Sequence, residues 1–121
     1  MSSKSLSIDA LNGIPCDPAK KLDILKIARI LIETYSAKKV ILFGSQANGN
    51  WKENSDIDFL VIRSSDIKNV TVGDERILTY REQILSPYDV VTIAEEKVEE
   101  CLKDQASVIA GAFANGAVIY G

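Results

Sequence analysis

Residues 40–61 have the sequence VILFGSQANGNWKENSDIDFLV, in which a polar stretch separates two apolar runs. The first run, Val40 to Phe43, is wholly apolar and partly β-branched, which is typical of a strand buried on both faces. The polar stretch from Gly44 to Ser55 is rich in Gly and Asn and predicts a loop, with a short helix around Gln46 to Asn50. The second run predicts another strand over Ile57 to Ile62. The segment therefore predicts two buried strands joined by a polar loop.

A helix is expected on the N-terminal side of this segment. Asp17 and Pro18 are the residue types preferred at a helix N-cap and at the first helical position, and the helix should end near Ser36. The apolar residues that recur in it at helical spacing are Leu22, Leu25, Ala28, Leu31, Ile32 and Tyr35. Residues 1–16 are polar and contain turn residues, so we expect a loosely ordered N-terminal arm followed by one domain over 17–121.

Helices and strands continue to alternate on the C-terminal side. A polar connection over Arg63 to Val72 leads to a predicted helix over Asp74 to Leu85. Tyr88 to Ile93 predicts a third strand, Glu95 to about Ala114 a helix, and Ala117 to Tyr120 a short fourth strand. The alternation predicts one α/β domain in which helices cover a sheet.

The composition restricts the chemistry open to the chain. With 121 residues, of which 46% are hydrophobic and 26% charged, it resembles one ordinary globular domain. The net charge of −3 argues against a large nucleic-acid footprint, so no direct nucleic-acid binding is expected. The chain has no histidine, which excludes histidine bases, catalytic triads and histidine-rich zinc sites. Carboxylates must therefore carry out any acid–base or metal chemistry.

The cysteines and the hydropathy indicate a cytoplasmic protein. Cys16 and Cys101 follow no recognisable spacing and are expected to be reduced thiols. Met1 to Leu11 lacks the apolar run of a signal peptide, and no stretch approaches the length of a membrane span, so no membrane partner is expected.

Three aspartates are the candidate catalytic and metal-binding residues. Asp56 and Asp58 are two positions apart in an extended segment, so they share a face about 7 Å apart at the backbone. Asp89 stands near the start of the third strand and meets them if the strands are neighbours. Clustered carboxylates repel one another, and a divalent cation such as Mg²⁺ is the natural compensation. Two such ions could activate an attacking hydroxyl and stabilise a leaving pyrophosphate.

Gly44 and Ser45 are the candidate residues for binding a nucleoside triphosphate. A glycine at the end of a buried strand lets a ligand approach the backbone, and a helix beginning there would aim N–H groups at phosphate. Singly, a Gly-Ser after a strand is usually a turn, and an Asp-x-Asp is usually a solvated strand entry. Their combination, with Asp89 on a later strand, favours a phosphate and metal cleft.

The same residues resemble a known family. Residues 40–49, followed by 55–61, closely resemble the signature of the minimal nucleotidyltransferases, which belong to the DNA polymerase β-like superfamily that includes aminoglycoside nucleotidyltransferases. Tyr88 to Val91 resembles the third carboxylate strand of that family, and the likeness runs from about Asp17 to Tyr120. It implies an α+β fold with a small mixed sheet flanked by helices, Mg²⁺, and transfer of a nucleoside monophosphate from a triphosphate.

The resemblance also implies roles for the aspartates. Asp56 and Asp58 would hold the metals, and Asp89 would hold one metal and help to deprotonate the acceptor. Many relatives carry arginine where this chain has Gln46 and Asn48. Metal ions, backbone N–H groups or another cation, such as Lys52 or Arg63, would then meet the triphosphate charge.

Three functions remain open at this point. Free-standing minimal nucleotidyltransferases resemble the antitoxin of a toxin–antitoxin pair, in which the enzyme attaches AMP from ATP to a tyrosine of a HEPN-domain toxin. A second hypothesis is a binding module that neutralises its partner by contact alone. A third is a small-molecule nucleotidyltransferase, which usually has an added C-terminal domain, whereas this chain ends near Gly121. The three aspartates favour an enzyme, and a homo-oligomer is compatible with all three functions.

Overall fold

The computed structural model describes residues 8–53, 55–64, 88–104 and 106–121. The helices are α1 (Lys21–Tyr35), α2 (Ser45–Asn48), α3 (Val98–Leu102) and α4 (Val108–Asn115). The strands are β1 (Ala37–Phe43), β2 (Ile57–Arg63), β3 (Tyr88–Ala94) and β4 (Ala117–Tyr120). Short 3-10 turns cover Ile8–Leu11, Pro18–Lys20 and Glu95–Lys97. The helix predicted over Asp74 to Leu85 lies outside the described residues.

The four strands form one mixed sheet in the order β3-β2-β1-β4. β1 runs antiparallel to both β2 and β4, whereas β2 and β3 run parallel. The strands begin or end within a few residues of their predicted bounds, and β4 has the predicted bounds. The α+β fold with a small mixed sheet and flanking helices is therefore confirmed.

Alternating side chains along the strands fill two layers of core, one on each face of the sheet. On the first face, α1 packs on strand residues that include Val40, Leu42, Phe59 and Val61. On the second face, α4 contributes Ile109 and Ala112, which pack with Ile41, Leu60, Ile62 and Ile93. Because both faces are covered, the central strands are apolar along most of their length. Within the described ranges, no helix is both long and apolar enough to span a bilayer.

The predicted residues Asp17 and Ser36 bound the helical segment, which consists of a 3-10 turn over Pro18–Lys20 followed by α1. The Asp17 side chain accepts a hydrogen bond from the backbone N–H of Ala19 (2.9 Å), and Pro18 opens the first turn. Ser36 ends the helix in the left-handed conformation, with φ of 50°. One predicted core position is wrong: Leu22 is 66% exposed, because the buried stripe begins with Ile24 and Leu25 instead.

The described part of the segment expected to be an N-terminal arm, residues 8–16, packs against the domain. Leu11 is 1% exposed and Cys16 is buried, and both belong to the core layer beneath α1. The polar residues suggested an arm, but two apolar side chains are enough to fix this short segment against the domain by burial.

The single helix predicted over Glu95 to Ala114 is also wrong, because it is broken between α3 and α4. Ser107 caps α4: its hydroxyl accepts from the backbone N–H of Ala110 (3.0 Å) and donates to the carbonyl of Cys101 (3.1 Å). The Asp104 side chain accepts from the N–H of Ala106 (3.0 Å). Such local hydrogen bonds from side chains offer the backbone an alternative to helical hydrogen bonds. They therefore interrupt the helix that the apolar periodicity predicted.

Candidate active site

Gly44 lies at the junction of β1 and α2 and closely approaches a candidate carboxylate. Its backbone has φ of 76° and ψ of −155°, a conformation that is essentially restricted to glycine. A Cβ at this position would overlap Oδ2 of Asp58, because Phe43 and Asp58 are paired across β1 and β2. The glycine is therefore needed both for its backbone conformation and for the space that it leaves to the carboxylate.

The sheet places Asp58 directly beside Asp89. The two residues are partners in the parallel ladder between β2 and β3, whose strands are about 4.8 Å apart. They share the face that continues into Leu60 and Ile62 on β2, at the edge of the second core layer. Asp58 is partly buried and Asp89 is exposed. Asp56 is exposed and stands immediately before β2.

Burial and repulsion together disfavour the charged form of Asp58. Loss of hydration, followed by the negative charges of Asp89 and then Asp56, raises its pKa to about 6. Two carboxylates therefore act on a third, and a cation placed among the three would relieve the repulsion. Oxygen donors of this kind suit hard divalent cations.

The three carboxylates are not arranged as a ready-made metal cage. Among the residues that the structure describes, no group of three or more His, Cys, Asp or Glu side chains is gathered closely enough to hold an ion. Mg²⁺ usually keeps several waters and shares its carboxylates with substrate phosphates. An open, incomplete carboxylate set of this type fits a metal that arrives with a nucleotide.

The predicted short helix follows Gly44 directly. α2 begins at Ser45, one residue earlier than expected, and ends at Asn48, with Gly49 as its C-cap in a left-handed conformation (φ of 88°). Ser45 is partly buried at the first position of this helix. Gly44 and Ser45 thus lie where β1 ends, next to the carboxylate of Asp58.

Gln46 and Asn48, the positions at which the resemblance would lead one to expect arginine, have different surroundings. Gln46 is fully buried, and its Oε1 accepts a hydrogen bond from the backbone N–H of Asp17 (2.8 Å). Asn48 is exposed, and its Oδ1 accepts from the backbone N–H of Asn50 (2.8 Å). The Gln46 side chain is therefore part of the protein interior, at a position where the resemblance would lead one to expect an arginine.

The two cations suggested as phosphate partners, Lys52 and Arg63, differ in their distance from the aspartates. Arg63 is the last residue of β2, so its backbone is about 17 Å along the strand from that of Asp58. Lys52 is exposed in the turn before Asp56, where its N–H donates to the Ser55 hydroxyl (2.7 Å). Of these two, only Lys52 belongs to the loop between Gly44 and Asp56.

Sequence reasoning missed Lys20, a buried cation near this loop. Its side chain is 7% exposed, and Nζ donates to the carbonyl oxygen of Ser55, the residue before Asp56. In the sequence, Lys20 and Lys21 are equivalent lysines at the start of an amphipathic helix. No local signal distinguishes them, because the partner of Lys20 is 35 positions away.

Comparison with known proteins identifies a family for this chain. The sequence matches the nucleotidyltransferase domain family over residues 24–114, from α1 to α4. No significant match was found among curated proteins or among solved structures. Domains of the matched family are transferases that generally use divalent metals, which fits the oxygen-only donors around Asp58. The match covers most of the chain, so the chain belongs to the nucleotidyltransferase domain family.

Proposed function

We propose that this protein transfers AMP from ATP to a hydroxyl group, using Mg²⁺. The observation that carries the proposal is the pairing of Asp58 with Asp89 on neighbouring parallel strands, with the Asp58 carboxylate next to Gly44. Asp56, two positions before Asp58, adds a third carboxylate whose charge acts on Asp58. Nucleotidyl transfer is the chemistry of the family, whereas the nucleotide, the metal and the acceptor belong to the proposal.

The residues have separate roles in this reaction. Gly44 and Ser45 let the triphosphate approach the backbone at the start of α2. Asp56 and Asp58 would hold the divalent metal, and Asp89 would be a further ligand. Bound metal would neutralise charge on the triphosphate and on the departing pyrophosphate. The acceptor oxygen forms a bond to the α-phosphorus, the bond from that phosphorus to the pyrophosphate oxygen breaks, and Asp89 receives the acceptor proton.

We propose a second protein as the acceptor, namely a HEPN-type toxin that presents a tyrosine. Asp56 and Asp89 are exposed, which favours a hydroxyl brought from outside the chain. Positioning and electrostatics supply most of the rate in such transfers, so a docked acceptor needs no deep pocket of its own. The antitoxin role rests on the resemblance to free-standing minimal nucleotidyltransferases, and the cytoplasmic location rests on the cysteines and the hydropathy of the sequence.

Nucleotide and metal binding can be tested without a partner. A ligand that binds only the folded state adds about 2.7 kcal/mol of stability at about 100 times its dissociation constant. Mg²⁺ or Mn²⁺ with ATP should therefore raise the melting temperature of the protein. The increase should be much smaller in Asp56→Asn and in Asp58→Asn, and an equal increase in all three proteins would contradict the assigned site.

Transfer itself is tested with a candidate HEPN partner and ATP, read by intact mass. We expect the partner to gain the mass of one AMP with the wild type and to stay unmodified with the Asp56→Asn/Asp58→Asn double variant. If the partner is never modified and the double variant still inhibits it as well as the wild type, inhibition by contact alone is the correct account.

A further inference from the structure

The loop over residues 44–56 carries both halves of the candidate site and is tied to the segment before α1. The backbone N–H of Asp17 donates to Oε1 of Gln46 (2.8 Å), and Nε1 of Trp51 donates to the carbonyl of Pro15 (2.8 Å). Nζ of Lys20 donates to the carbonyl of Ser55. The partners are 29 to 36 positions apart, so the tertiary fold alone brings them together.

The Lys20 contact is the one nearest to the carboxylates. Ser55 is covalently joined to Asp56, so its carbonyl belongs to the peptide group that leads into the aspartate pair. The same residue is held on its other side, because its N–H donates to the Lys52 carbonyl (2.9 Å) and its hydroxyl accepts from the Lys52 N–H. Hydrogen bonds from an ammonium group are stronger than neutral ones, so Lys20 strongly restrains this peptide.

Burial distinguishes Lys20 from an ordinary surface lysine. Lys20 as a whole residue is 7% exposed, and taking a charged side chain out of water is costly unless a partner compensates. The Ser55 carbonyl provides that compensation, and it also occupies the side chain. Lys20 is thus placed to act on the loop backbone, whereas a direct phosphate contact would require it to leave this carbonyl.

We propose that Lys20 is a positioning residue for nucleotidyl transfer, which holds the Ser55 peptide so that Asp56 is kept beside Asp58. This inference rests on the proposed function, because it assigns to Lys20 the placement of a metal-binding carboxylate. Lys20 itself touches neither the metal nor the nucleotide.

The test compares Lys20→Met with two matched variants. Met retains an apolar stem of similar length without the donor, and Lys20→Arg retains both the charge and a donor. Lys26→Met removes the same charge from an exposed position on α1 and controls for net charge. Two measurements are made on each protein: amide hydrogen exchange without ligand, and the Mn²⁺ concentration that gives half of the ATP-dependent rise in melting temperature.

We expect Lys20→Met to accelerate exchange over residues 52–58 while β1 and β4 retain their protection. The Mn²⁺ concentration at half effect should rise about tenfold, the size expected from loss of one charged hydrogen bond. Lys26→Met should match the wild type, and Lys20→Arg should recover part of the effect. If Lys20→Met does not fold, Lys20→Gln is measured and should shift both quantities in the same direction.

The inference is overturned if Lys20→Met behaves like Lys26→Met in both measurements. It is also overturned if Lys20→Met lowers the melting temperature but leaves the Mn²⁺ dependence unchanged, since Lys20 would then be merely structural. A wild type that does not respond to Mn²⁺ and ATP would instead refute the proposed function, and the two failures are distinguishable in one experiment.

Discussion

At the scale of single residues, the site combines features that are unfavourable for folding alone. Gly44 adopts a backbone conformation that few other residues tolerate, and Asp58 loses hydration next to two like charges. Both features cost stability in the free protein, and both lie at the same place, because the Asp58 carboxylate is next to Gly44. Unfavourable groups of this kind are typical of functional sites.

Gly44→Ala should disable the site. The added Cβ would displace the Asp58 carboxylate, and the backbone conformation costs about 1–3 kcal/mol for other residues. We expect a lower melting temperature and a loss of transfer of about 100-fold or more, as expected for a misplaced reacting group. Gly13→Ala is the matched control, because Gly13 also has a positive φ (81°) but has nothing within 4 Å of the added Cβ. Full activity in Gly44→Ala would contradict the assigned geometry.

Asp58→Asn should stabilise the free protein at neutral pH while it abolishes metal binding. Because the pKa of Asp58 is raised from 3.8 to about 6, the folded state binds more protons than the unfolded state between these values. The stability contributed by this group is present below its unfolded pKa and is lost as the pH rises through about 6. Melting temperatures of both proteins across this range should diverge with rising pH, with the variant the more stable above about pH 6.

At the scale of elements, local hydrogen bonds of polar side chains cause the break between α3 and α4. Ser107 bonds to the backbone on both sides of the break, so α4 begins at Val108 and packs Ile109 and Ala112 on the sheet. The loop over residues 44–56 is different, because contacts from distant Pro15, Asp17 and Lys20 define its course.

Ser107→Ala should lower the free energy of unfolding by about 1 kcal/mol, since it removes an N-cap. Ser107→Asp keeps a capping oxygen and should retain most of the stability. Urea denaturation of the three proteins measures the difference. Mn²⁺ and ATP binding should not change, because the cap is not part of the site. A variant as stable as the wild type would show that the cap does not determine this helix start.

At the scale of the whole molecule, the order of the strands determines which aspartates meet. β2 lies between β1 and β3, so Asp58 contacts both the Gly44 junction and Asp89. Helices cover both faces of the sheet, and Asp58 and Asp89 are the second residues of β2 and β3. An acceptor would therefore reach the site from the exposed side of Asp89.

Asp89→Asn should separate transfer from nucleotide binding. We expect labelling of the partner protein by ATP to be lost, while much of the ATP-dependent rise in melting temperature remains, because Asp89 acts on the acceptor proton. The Asp56→Asn variant should lose both the labelling of the partner and the ATP-dependent rise in melting temperature. Intact mass and thermal denaturation measure the two quantities. Equal loss of nucleotide binding in both variants would place Asp89 on the nucleotide side instead.

The local features of this protein follow from its sequence. Apolar runs predicted the strands, the Asp17-Pro18 pair marked the start of the helical segment, and the family signature predicted the fold. Alternation along a strand placed Asp58 on the same face as Leu60 and Ile62, because strand periodicity is a local property. Such features depend only on neighbouring residues, so the sequence alone determines them.

The tertiary structure alone decided which distant residues meet. The in-register pairing of Asp58 with Asp89, the burial of Gln46 beneath Asp17 and the contact of Lys20 with Ser55 join residues about 29 to 35 positions apart. Neither periodicity nor residue type distinguishes Lys20 from Lys21, or a buried glutamine from an exposed one. Their environments depend on strand order and on packing between remote segments, which no local pattern encodes.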